Sequence, residues 1–144
     1  MANVLERQVT HEGWRNAVVK LTGVLDTSNI SETPAIALSD FSNNDRVAGR
    51  LSGFRVDLLE WSISNGIEVN LAWNSANPQQ IFPLSGRGRI YANNYGGFIP
   101  DKTRTAYDGS INLTTSGFVA LSDPAGPSVP QNFTIILELV KLYS

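Results

Sequence analysis

Apolar and polar residues alternate along this chain with a period of two. Residues 67 to 73 read Ile67-Glu68-Val69-Asn70-Leu71-Ala72-Trp73. That pattern puts Ile67, Val69, Leu71 and Trp73 on one face of a half-buried antiparallel strand. The preceding Asn65-Gly66 is a favoured pair for two-residue type I′ turns, in which both positions take positive φ. Upstream, Phe54-Arg55-Val56-Asp57-Leu58 alternates in one phase and Leu59-Glu60-Trp61-Ser62-Ile63 in the opposite one. The slip between Leu58 and Leu59 predicts a β-bulge, or a strand passing between two packing environments. Residues 54 to 73 are therefore expected to form a hairpin, with Trp61 and Trp73 in the core.

Further strands are expected over Ala17 to Leu25, interrupted by Gly23, over the short Ala35 to Leu38, and over Gln80 to Leu84. Pro83 lacks an N–H and assigns the last of these to a sheet edge. Gly88 to Ala92 and Ser110 to Thr115 read as solvent-facing strands, and Gly117 to Leu121 as another. The run Asn132 to Leu142 is apolar at most positions and rich in β-branched residues, so it reads as a strand covered on both faces. Turn-forming clusters separate these runs at Ser42 to Asp45, Ser75 to Pro78, Asn93 to Gly97, Asp108-Gly109 and Asp123 to Pro127. Short strands punctuated this way predict an all-β fold: an antiparallel β-sandwich or jelly-roll-like single domain with little helix. Residues 2 to 9 suit either a short amphipathic turn or an extended segment. They are expected as part of an N-terminal arm, residues 1–14, ahead of a sandwich domain of residues 15–144.

Composition changes this picture mainly by exclusion. The 144 residues fit one core, and 42% of them are apolar. Only 17% are charged, against about 25% in typical soluble domains, and Asn, Ser, Thr and Gly fill the difference. A net charge of −2 supplies no basic stripe for nucleic acid. No long apolar run marks a membrane partner. The charged residues in Met1 to Arg7 stand where a secretion signal would be apolar, so the chain is expected to stay in, or be assembled in, a cytoplasm. Without cysteine, and with His11 as the one histidine, disulfides, thiol nucleophiles and Cys- or His-pair metal sites are absent from the candidate chemistry. No cofactor is expected.

Three groups of residues invite a chemical reading. Asp57 and Glu60, weighed as a general acid–base pair, are three apart on a strand, which points their carboxylates to opposite faces unless the bulge realigns them; the simpler expectation is that both are solvent-facing or paired with Arg50 and Arg55. Gly86-Arg87-Gly88-Arg89 resembles a phosphate loop only superficially, because strand rather than helix follows it. Its guanidinium groups are suited to bidentate pairing with carboxylates on a neighbouring protein. Trp14, Tyr91, Tyr95, Phe98 and Tyr107 sit in or beside polar, Asn-rich segments, an arrangement compatible with sugar-stacking platforms.

Arg55 to Asn74 (RVDLLEWSISNGIEVNLAWN), Tyr107 to Thr115 (YDGSINLTT) and Gln131 to Tyr143 (QNFTIILELVKLY) together resemble the head decoration, or cement, proteins of tailed bacteriophages. The resemblance implies a non-enzymatic β-sandwich or jelly-roll protein on the outer surface of a virion capsid, often a homotrimer, with the major capsid protein as partner. It brings no catalytic residues. A low-charge surface agrees with it, since neutral hydrogen bonds to neighbouring subunits require little charge desolvation. The residues expected to bind partners are Val4, Leu5, Arg7, His11 and Trp14 in the N-terminal segment, then Arg87, Arg89 and Tyr95. The alternatives are a carbohydrate-binding β-sandwich module and a neck or tail component of the virion.

Overall fold

A computed structural model describes residues 3–41, 50–119 and 130–143. These residues form β1 (Val4–Glu12), β2 (Asn16–Leu25), β3 (Thr33–Ile36), β4 (Leu51–Ile63), β5 (Glu68–Trp73), β6 (Gln79–Leu84), β7 (Arg87–Ile90), β8 (Ile111–Ser116) and β9 (Gln131–Tyr143). The helical content among them is two short 3-10 turns, Leu38–Asp40 and Ala92–Tyr95. One sheet has the order β1-β2-β9-β4-β7 and the other β3-β8-β5-β6, with every pairing antiparallel. Within them β2 pairs with β9, β3 with β8, β4 with β7 and β5 with β6. Such nesting, outer strands of the chain together and inner strands together, is the jelly-roll wrap. The expected antiparallel sandwich is what the chain forms.

Alternation explains which side of each strand is buried. Ala17, Val19, Leu21 and Leu25 of β2, Phe133, Ile135, Leu137 and Leu139 of β9, and Val69, Leu71 and Trp73 of β5 face the common core. Gly23 belongs to the same inward row as Leu21 and lies opposite Phe133, whose ring occupies the space a Cβ at residue 23 would need. The glycine that interrupts β2 is thus the seat of a core aromatic. Trp73 is buried as expected, whereas Trp61 lies half-exposed over Gly88 and donates its indole N–H to the Ser85 carbonyl at 2.9 Å.

Several local expectations are corrected. Both strands around residues 54–73 exist, but they are not a hairpin, because β4 lies in the five-stranded sheet and β5 in the four-stranded one. Gly66 has φ +88° while Asn65 keeps negative φ, so the turn is not type I′ and carries the chain from one sheet to the other. Alternation defines an inward face for each strand without saying which sheet it joins. The phase slip is a bulge: Val56 opposes Leu139 and Leu58 opposes Glu138, leaving Asp57 as the extra residue and both Val56 and Leu59 buried. β8 is not solvent-facing; it lies between β3 and β5 with Ile111 and Leu113 fully buried. β9 is covered on one face only, since Glu138 on the other is exposed. Residues 117–119 are not strand, and the rest of the strand expected to Leu121 lies outside the described residues, as do the turns at 42–45 and 123–127. β6 and β7 are edge strands, and Pro83 is exposed on the first.

Residues 4–12, expected as part of an arm or as a helical turn, are the edge strand β1 along β2. Leu5 and Val9 pack on the core, and between them Arg7 reaches Asp40 at 3.0 Å and the Ala35 carbonyl at 3.4 Å. An ionic residue held at a sheet edge in this way discourages uncontrolled strand addition. At the end of the strand, Glu12 meets Lys141 at 2.7 Å. The Lys141 side chain is 1% exposed, and its ammonium lies 5.9 Å from the centre of the Phe41 ring.

Two stability measurements follow from this packing. Gly23→Ala should lose about 1–3 kcal/mol in urea unfolding, because the new methyl group and the Phe133 ring compete for one space. Glu12→Ala should cost about 1–3 kcal/mol by removing the carboxylate that meets the nearly buried Lys141 ammonium at 2.7 Å. Lys141→Met, which removes the charge and keeps the packing, should cost less than Glu12→Ala.

Candidate binding groove

The outer face of the five-stranded sheet is built from the residues that alternate with the core row. Across its middle, His11 on β1 opposes Val18 on β2, Val18 opposes Glu138 on β9, and Glu138 opposes Leu58 on β4. Along β9 the outward neighbours of Glu138 are Ile136 and Val140. The carboxylate therefore stands among four apolar side chains, Val18, Leu58, Ile136 and Val140. It is exposed and has no hydrogen-bond or ion-pair partner among the described residues.

Two bulges aim side chains at this row. The β1–β2 register shifts between Val9 and His11, so Val9 turns inward while His11 faces outward. In an unbroken strand both would share one face. On the other side, the bulge at Asp57 turns Leu58 outward beside Glu138 even though Val56, two residues earlier, is buried. Bulges commonly re-aim side chains in this manner near functional sites.

The result is a groove of about 390 Å³. Val18, Leu58 and Val140 contribute its apolar floor, His11 and Asn16 one wall, and Tyr91 and Asn93 the other. The second wall is held in place by an antiparallel bridge in which Val56 and Phe98 exchange N–H···O bonds of 2.9 Å. Gly97, at φ +83°, lets the segment close over Arg55 and Asp57, where a side chain would collide with both. Arg55 grips the Asp57 carboxylate with Nε at 2.7 Å and Nη2 at 3.1 Å. The hydrogen bond to Asp57 raises the guanidinium pKa further. Arg89 donates to the Tyr91 hydroxyl at 2.9 Å, pairs with Glu60 at 2.8 Å and lies 5.7 Å from the centre of the Tyr91 ring. Asp57 and Glu60 are thus each matched to an arginine, Asp57 to Arg55 and Glu60 to Arg89.

The expected partner-binding residues divide among several places. His11 lines the groove, and Arg89 holds one of its walls. Arg89 is consequently engaged within the chain through Glu60, contrary to the expectation that it awaits a neighbour's carboxylate; Arg87 is exposed opposite Ser62. Arg7 is occupied by Asp40, Leu5 packs on the core, and Val4 is exposed at the start of β1. Trp14 lies 51% exposed in the β1–β2 turn, its carbonyl accepting the Tyr143 hydroxyl at 2.9 Å. Tyr95 is 80% exposed at the end of the second 3-10 turn. Glu138, Asn16 and Leu58 were not expected. The readable signal for Glu138 was a lone carboxylate inside the apolar run Phe133 to Val140.

His11 and Glu138 are separated by β2, about 10 Å at the usual strand spacing, which is too far for a direct hydrogen-bonded proton relay. The groove presents hydrogen-bonding groups beside apolar contact surface. Among the described residues, no group of three or more His, Asp or Glu side chains is placed to hold a metal ion, and no helix is long and apolar enough to cross a membrane. The opposite sheet presents a different surface. There Asn112 donates to Glu32 at 3.0 Å and to Asn74 at 2.9 Å, and Gln80 donates to Asn70 at 2.8 Å, so many of its polar groups satisfy one another.

Tyr107, one of the expected sugar-stacking aromatics, is a structural residue instead. It is half-buried, donates to the Ser52 carbonyl at 3.0 Å and packs against the core. Burial, assisted by the Asp108 charge, pushes its pKa up to about 12. The proton is held more tightly in the folded than in the unfolded chain, where a phenol titrates near 10. The associated stability is therefore complete below about pH 10 and is lost as pH rises towards 12. Tyr107→Phe should flatten that alkaline loss and cost about 1 kcal/mol at neutral pH through the missing hydrogen bond, measured by urea unfolding across pH. Searches against protein-family models, curated proteins and solved structures gave no match to this chain.

Proposed function

We propose that this chain is a non-enzymatic structural protein of a virion, a decoration protein bound to the outer surface of a tailed-phage head. The observation that carries the proposal is the gathering of exposed apolar side chains at one end of the sandwich. Trp14 projects from the β1–β2 turn, which is tied to the end of β9 by the Arg15 carbonyl to Lys141 N–H bond of 2.6 Å and by the Tyr143 hydroxyl. Tyr95 and Ile99, the latter 57% exposed, come from the segment that the Phe98 bridge fastens to β4 near the same end. Exposed Trp and Tyr on a rigid support are the side chains that dominate protein–protein binding energy. The low charge of the chain adds little desolvation cost at such a contact.

On this reading the main partner is the major capsid protein, and copies of the chain associate with one another around a symmetry axis as a trimer. Support for the head over other virion positions comes from the resemblance of residues 55–74, 107–115 and 131–143 to decoration proteins. The test adds purified protein to expanded heads that lack it. Saturation at on the order of hundreds of copies per particle, with greater resistance of the particle to heat, is the expected result. Trp14→Ala and Tyr95→Ala should each weaken binding by about tenfold while the melting temperature of the isolated protein stays unchanged. Saturation at about a dozen copies would place the chain at a neck or tail ring. Absence of binding, together with no change in heat resistance, would overturn the proposal.

A further inference from the structure

We infer that the groove on the outer face of the five-stranded sheet is a binding site for a neutral saccharide. This goes beyond attachment to a head, because the groove uses side chains other than Trp14, Tyr95 and Ile99. The central observation is Glu138, an exposed carboxylate without a partner among the described residues, set between Val18 and Leu58 on the adjoining strands and between Ile136 and Val140 on its own. A carboxylate in such surroundings offers strong acceptors to a ligand that also brings apolar C–H surface. Pyranose rings have both: hydroxyl groups at the rim and C–H groups on the faces.

The surrounding groups narrow the ligand further. Asn16, Asn93 and His11 bring hydrogen-bond donors to the walls as well as acceptors. A guanidinium or ammonium ligand, having only donors, would use Glu138 and the amide and imidazole acceptors but leave the Asn16 and Asn93 N–H groups without a ligand acceptor. A hydroxyl both donates and accepts, so a neutral polyol satisfies the whole lining. Tyr91 adds a half-exposed ring at one wall whose hydroxyl is already fixed by Arg89, leaving the ring as an oriented contact surface. Asp57 is held on both oxygens by Arg55, so its geometry is set before a ligand arrives. The two bulges that turn His11 and Leu58 outward on either side of Val18 and Glu138 complete a preformed site. Its volume of about 390 Å³ suits a ligand of one or two sugar units.

The experiment screens the full chain on a glycan array and then titrates the best-binding saccharide while following backbone amide resonances. Binding in the range of about 0.1–10 mM is expected, with shifts concentrated at Val18, Leu58, Tyr91 and Glu138. Glu138→Gln and Tyr91→Ala should each weaken binding by about tenfold or more, whereas Gln80→Ala on the opposite sheet should leave it unchanged. Melting curves verify that each variant folds; should one fail to fold, the shift map of the unaltered chain decides the question. Absence of saccharide binding would overturn the inference. So would shifts that map outside the groove, or stronger perturbation of the same amides by N-acetylarginine methylamide at equal concentration. Head binding separates the two proposals: Glu138→Gln should still bind particles, and Trp14→Ala should still bind the saccharide.

Discussion

The pairing of β9 on both sides is the constraint on which the rest of this molecule depends. Residues 131–140 run opposite all of β2, and residues 133–143 run opposite β4 through one bulge and a second shift near its start. With both edges of its backbone engaged, β9 has a fixed register, and a period of two assigns every side chain to a face. Phe133, Ile135, Leu137 and Leu139 become core, while Ile136, Glu138 and Val140 become surface. A slip by one residue would bury the Glu138 carboxylate and expose Leu137. Two contacts at opposite ends oppose such a slip. Phe133 fits over Gly23 at one end, and Lys141 meets Glu12 at the other.

A fixed β9 also explains why the groove lies where it does. Regular strands on both sides would turn both His11 and Leu58 towards the core. An extra residue in β1 and another in β4 reverse those two side chains without disturbing β9 or the inward row beneath it. The bulged edge strand and the bulged inner strand thus carry the variation, and the central strand remains regular. Loop packing completes the second wall, since the Val56–Phe98 bridge holds the segment bearing Tyr91 and Asn93 beside the bulge at Asp57.

Much of this architecture was legible because alternation reports burial directly. Ile67 to Trp73 and Ala17 to Leu25 are strands with the expected inward faces, and the reversal of phase around Leu58 is a real bulge. Partner choice was less legible. Asn65-Gly66 implied a hairpin, but a turn between sheets requires the same polar punctuation, and the decision lay with β9, more than sixty residues away, which pairs with β4 in the place a hairpin would give to β5. The alternation of Asn112 and Thr114 with Ile111 and Leu113 was read as exposure, although β3 and β5 enclose β8 on both sides. The groove was hardest to foresee because its members come from four strands and a turn. His11 was visible as a lone histidine, yet nothing local linked it to Glu138, Asp57 or Tyr91.

Different physical demands fall on the core strands and on the exposed end. Residues 55–74, 107–115 and 131–143 correspond largely to β4, β5, β8 and β9, which meet across the core. Residues there must satisfy alternation, register and close packing together. Trp14, Tyr95 and Ile99 lie outside those segments, on a turn and a loop that the scaffold positions but does not bury. Glu138 obeys the same logic from within a core strand, because the face it occupies is the one that β9 does not need for folding. A single strand can therefore supply the core with one row of residues and leave the other row on the surface.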